Sequence, residues 1–155
     1  MVLMTSNFKR THRTGFTWDR EFEGRRKDVE DQLVRLVGSK SEIGNKEVFM
    51  LCLAVGYHFQ KTRPRPPRAT DAVRMSAVNP QEFAVMRTIA LAQTKDYKVL
   101  LDEDRVYDII EEYAAGGLEL LVTQMDSGID FQNFLTKLLY EQTRKTATDT
   151  NSQLD

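Results

Sequence analysis

Asn45–Lys61 reads NKEVFMLCLAVGYHFQK, and a chain in water has few places to put such a run. Val48, Phe49, Leu51, Cys52, Leu53 and Val55 cover more of a helical circumference than the single stripe of a surface helix. Their spacing predicts a central helix contacted from several sides. Asn45 is the expected cap. Gly56 costs that helix up to about 1 kcal/mol of propensity, which fits either a close approach by another element or simple exposure. Between Leu51 and Leu53, the Cys52 thiol is expected to be buried, a small hydrophobe with no sulfur-carrying role.

Weaker helical patterns flank this run. Upstream, RRKDVEDQLVRLVG puts Val29, Leu33, Leu36 and Val37 on one face and ends at Gly38, a residue suited to the left-handed position after a helix. Downstream, Asn79, Pro80 and Glu82 form a full start signal of cap, first-turn proline and returning carboxylate. Phe83, Met86, Ile89 and Ala90 are the inward stripe of the helix they open, which ends near Thr94. A further helix runs from about Glu103 to Ala115, with Asp102 as cap and Val106, Ile109, Ile110 and Tyr113 inward. Gly116 and Gly117 are expected to break or redirect the chain, and a last helix spans about Asp130–Thr143. The fold class predicted is all-α, a compact single domain of five or six helices, with YKVLL at residues 97–101 as its one candidate extended segment. Residues 1–23 read as an N-terminal arm able to fold back through Phe16, Trp18 and Phe22, residues 24–143 as the helical domain, and residues 144–155 as a frayed tail.

At 155 residues and 41% hydrophobic content the chain supports one core. Net charge is −1, yet residues 1–80 hold 15 Lys and Arg against 9 Asp and Glu, whereas residues 81–155 hold 7 against 14. The halves therefore stand at +6 and −7, a polarity that serves either a charged partner or pairing within the chain. One cysteine cannot form an internal disulfide. No signal-peptide pattern and no membrane-spanning apolar run is present, so the expected location is cytoplasmic.

Two histidines and a buried cysteine do not make a zinc site, and the carboxylates fall mainly at caps and solvated faces, so neither a metal nor a cofactor is expected. Glu111, Glu112 and Glu119 read as surface charges or caps, and no nucleophile elbow or phosphate-binding glycine loop occurs. The remaining feature is KTRPRPPRATDAVR at residues 61–74, whose prolines forbid a regular helix. Lys61, Arg63, Arg65, Arg68 and Arg74 are its candidate contacts, to a nucleic acid backbone or an acidic protein, with Arg10, Arg13, Arg25 and Arg26 able to extend the surface. Hydration, or pairing with the acidic second half, is the competing reading.

The segments VFMLCLAVGYHFQK, IALAQTKDYKVLLDED and above all IIEEYAAGGLELL, with the arginine loop between them, resemble the DNA phosphorothioation-associated protein 4 family from about Arg25 to Leu139. Glu111, Glu112, Tyr113, Gly116 and Gly117 carry the most specific part of that resemblance. It implies an accessory role in a bacterial DNA sulfur-modification, restriction or antiviral defence system. A protein of that system is the implied partner and DNA a second candidate. It carries over no active site, and the expectation is of a nonenzymatic protein. A DNA-binding transcriptional regulator of the same locus is the alternative, though no recognition helix accompanies the basic loop. A nuclease or sulfur-transfer component is less favoured.

Overall fold

The computed structural model describes residues 8–19, 21–64 and 69–151. In chain order the elements are β1 (Gly15–Asp19), α1 (Glu23–Val37), α2 (Asn45–His58), β2 (Ala69–Arg74), α3 (Pro80–Thr94), α4 (Glu103–Asp126) and α5 (Phe131–Asn151), with 3-10 turns at Lys40–Glu42, Met75–Ala77 and Tyr97–Leu101. Among the described residues, five helices and one two-stranded sheet make this an all-α fold with a small extended part, as the sequence predicts. The extended part lies elsewhere than expected. Tyr97–Leu101 is a 3-10 helix, opened by the Asp96 side chain accepting from the Lys98 amide at 3.0 Å. Such short-range side-chain bonding favours a turn over a strand. The strands are β1 and β2, antiparallel, with a register shift between Phe16 and Thr17.

The chain divides into two compact units, Met1–Leu121 and Val122–Asp155. In the first, α2 is the central helix expected: Val48, Phe49, Cys52, Leu53, Val55 and Gly56 are all buried. Burial pushes the Cys52 thiol far up from its ordinary pKa. The cap is one residue earlier than expected, because Gly44 takes the extended conformation and its N–H donates to Glu47 Oε2 at 2.8 Å. α1 ends at Gly38, φ 78°, whose N–H donates to Val34 O at 2.8 Å. Only Val29 and Leu33 of its predicted face are buried; Leu36 and Val37 are exposed. α3 begins with the predicted reciprocal pair, the Glu82 amide donating to Asn79 Oδ1 and the Asn79 amide to Glu82 Oε2, both at 2.8 Å.

β1 lies inside the segment read as an arm, and it completes the core. Phe16 and Trp18 are 0% and 2% exposed. The Phe16 ring lies 4.6 Å from that of Tyr107 and 5.1 Å from that of Phe49, and Trp18 meets Phe49 edge-on at 5.3 Å. Burying one such ring stabilises by about 1.5–3 kcal/mol. β1 needs a partner strand, which β2 supplies, so the proline-rich loop is shorter than residues 61–74: its last six residues are strand.

A second correction concerns Gly116 and Gly117. α4 runs unbroken through both, and neither has positive φ. Their missing side chains are used for proximity. A Cβ on Gly117 would stand 1.7 Å from the Cys52 carbonyl oxygen, one on Gly116 2.1 Å from that of Lys61, and one on Gly56 2.0 Å from that of Tyr113. α2 and α4 thus cross with their backbones in contact, which settles the role of Gly56 as close approach.

In the second unit, Gly128 at φ 75° turns the chain after α4, and Asp130 Oδ1 accepts from the Asn133 amide at 3.0 Å at the start of α5. That helix continues to Asn151, past the expected end at residue 143, because no glycine or proline interrupts it. Phe131 and Leu135 are buried, while Leu139 and Tyr140 are exposed.

Candidate functional site

α4 carries an acidic stripe whose members recur at helical spacing: Asp104, Asp108 and Glu111, with Glu112 and Glu119 beside them. Two basic segments of the first half of the chain lie on it. Residues 9–13 form the first. Lys9 Nζ stands 3.2 Å from Asp104 and 3.8 Å from Asp102, and the Thr11 amide donates to Glu103 Oε2 at 2.9 Å while its hydroxyl donates to Asp104. Arg13 donates to Asp108 at 2.9 Å and, through its other terminal nitrogen, to Glu111. Glu111 is only 3% exposed and also accepts from the Thr17 amide and hydroxyl at 2.8 and 3.0 Å. Thus its carboxylate ties β1 and Arg13 to α4. The Arg13 guanidinium lies 5.1 Å over the Tyr107 ring as well.

The hydrogen bond from Thr11, then Lys9, holds the Asp104 carboxyl below its ordinary pKa, and Asp104 in turn raises that of Lys9. Burial raises the pKa of Glu112, opposed by Arg105 at 3.8 Å.

Lys61 and Arg63 form the second covering segment. Lys61 stands 3.6 Å and Arg63 3.7 Å from the Glu119 carboxylate, and Arg63 also pairs with Glu21 and lies 4.6 Å over the Phe22 ring. The Arg63 amide donates to the Glu112 carbonyl at 2.9 Å. Of the predicted basic contacts, then, these two sit together on α4; Arg74 is exposed at the end of β2; Arg65 and Arg68 lie outside the described residues. Among the family-like residues, Tyr113 is buried as predicted, edge-on to Tyr57 at 5.5 Å, its hydroxyl meeting the side-chain amides of Gln60 and Gln93. Glu111 is not the surface charge the sequence predicts. Sequence reasoning missed its partner Arg13, for which the acids at 104, 108 and 111 were the available signal.

Among the described residues no group of three or more His, Cys, Asp or Glu is placed to hold a metal ion, and no helix is long and apolar enough to cross a membrane.

Fold and surface together define a small helical protein with a polar, internally ion-paired face on α4. The family model for DNA sulphur modification system-associated protein 4 matches residues 25–155. The chain belongs to that family. No curated protein and no solved structure matches it.

Proposed function

We propose that this protein is a nonenzymatic accessory component of a DNA phosphorothioation-linked restriction or antiviral defence system, acting by contact with another protein of that system. Membership of the family, whose members are associated with DNA sulphur modification, carries the reading. The burial of Cys52 supports it against a sulfur-transfer role, because the thiolate is the reactive form and burial disfavours it. The pairing of Lys61 and Arg63 with Glu119 weakens the case for a DNA-binding loop, since cations already facing carboxylates release fewer phosphate counterions.

Tagged protein recovered from its own host, with and without nuclease treatment, tests this. A protein of the modification or restriction machinery is expected in both preparations. Recovery that disappears with the DNA would replace the reading with a DNA-binding one, and repeated recovery of no such protein would end it.

A further inference from the structure

Glu111, Glu112, Tyr113, Gly116 and Gly117 each meet a different part of the chain lying on α4. Glu111 takes β1, and the other four take the chain as it crosses and leaves α2. Gly117 admits the Cys52 carbonyl, and the Tyr113 hydroxyl lies 3.2 Å from Gln60 Oε1. Gly116 admits the Lys61 carbonyl and the Thr62 amide, and the Glu112 carbonyl accepts from the Arg63 amide at 2.9 Å. These contacts differ in kind along the chain. Cys52 and Gly56 are buried, whereas Lys61 and Thr62 are exposed and Arg63 is half-buried. The last bond of α2 closes where the Lys61 amide donates to the Gly56 carbonyl at 2.8 Å. Just before it, Gln60 holds φ 53°, a left-handed value in which a side chain is strained. Beyond that turn, among the described residues, Lys61–Arg63 is fastened to α4 by one backbone hydrogen bond and by ion pairs to Glu119 at 3.6 and 3.7 Å. Lys61 has 45% of its side chain exposed. The further contacts of Arg63, to Glu21 and the Phe22 ring, lie ahead of α1, and Glu21 is exposed as well.

We propose that Glu112, Gly116 and Glu119 form a release catch: Lys61–Arg63 lifts off α4 as a unit while the crossing of α2 and α4 at Gly56 and Gly117 stays closed. The hinge lies at Gln60 and Lys61, where the helical bonds of α2 end. A segment with little buried apolar surface, held by hydrogen bonds that solvent reaches, opens at a lower free energy than the core beneath it. Half-exposed ion pairs add little resistance, and salt screens what they add. Opening turns Lys61 and Arg63 from Glu119 toward solvent, so the catch sets how much of its positive charge the segment after α2 displays. The device stands independently of the protein-contact reading above.

Native-state hydrogen exchange of the full chain, read amide by amide at two salt concentrations, tests this. The Arg63 amide is expected to be protected, yet to exchange at least about tenfold faster than the amides of Leu53 and Leu118. Higher salt should speed Arg63 further and leave those two unchanged. Glu119→Gln, which removes both ion pairs, should speed Arg63 about threefold, again without effect on Leu53. Gly116→Ala puts a methyl where the Lys61 carbonyl sits and should abolish protection at Arg63 while the amides of α2 and α4 keep theirs. If that variant does not fold, Glu119→Gln carries the test alone. Exchange of Arg63 at the rate of Leu53, or a Glu119→Gln effect that falls equally on all three amides, would show that the segment leaves only when the core unfolds. An Arg63 amide with no protection in the unaltered chain would show that nothing is fastened. Each of these results overturns the proposal.

Discussion

The crossing of α2 over α4 and the basic covering of α4 lie on the same helix, yet they are held by opposite means. At the crossing, Gly56, Gly116 and Gly117 contribute no side chain, and carbonyl groups occupy the space a methyl would need. At the covering, long charged side chains span the gap, and several stay half in water. Close packing has no room to relax, whereas a flexible ion pair exchanges readily with solvent. One region is intolerant of added atoms and indifferent to salt; the other is the reverse.

The largest effect expected breaks the first region. Gly117→Ala forces a Cβ against the Cys52 carbonyl, where only backbone movement makes room, and should cost about 3 kcal/mol or more in urea unfolding. A loss below about 1 kcal/mol would show that the helices separate easily, and the contrast between the regions would collapse. Next comes Arg13→Ala, at the buried end of the covering. It strips the guanidinium from Glu111 and should cost about 2 kcal/mol, below the range for a fully buried pair because Arg13 keeps some exposure. Arg13→Ala and Glu111→Gln measured together should cost less than their sum, since the amide removes the stranded charge. Strict additivity would argue that the two do not act as a pair.

The smallest effect belongs to the open end. Asp104 has a folded pKa below its unfolded value, so its contribution is fully present above about pH 4 and fades as pH falls through the folded value. Lys9 has a folded pKa above its unfolded value, so its contribution is full below the ordinary lysine range and fades as pH rises through the folded value. Between those limits the Lys9–Asp104 pair should be insensitive to pH. A side-chain carboxyl carbon resonance of Asp104 that titrates below about pH 4 would verify this. A titration near neutrality would not fit.

Much of this was legible in local pattern. The wide apolar face of α2, the Asn79–Pro80–Glu82 start of α3 and the burial of Cys52 and Tyr113 each follow from a few neighbouring residues. The misses share a cause: they depend on residues distant in sequence. Phe16 and Trp18 look like isolated aromatics in a polar arm until β2, more than fifty residues on, supplies the ladder. Gly116 and Gly117 read locally as a helix break, and only the approach of Cys52 and Lys61 turns them into contact points. Glu111 reads as one surface acid among several until Arg13 and Thr17 reach it. For the candidate site, the basic residues and their pairing with the acidic second half were visible as a class, whereas the particular carboxylates they meet were not.

The position of β1 also bears on where this protein can be cut. The family signature begins at residue 25, while Phe16, Trp18 and Arg13 all lie ahead of it. A fragment trimmed to the signature would keep Phe49 and Tyr107 but lose the rings stacked on them, and would keep Glu111 but lose its counter-charge. The shared signature and the core that β1 completes are thus different lengths of the same chain.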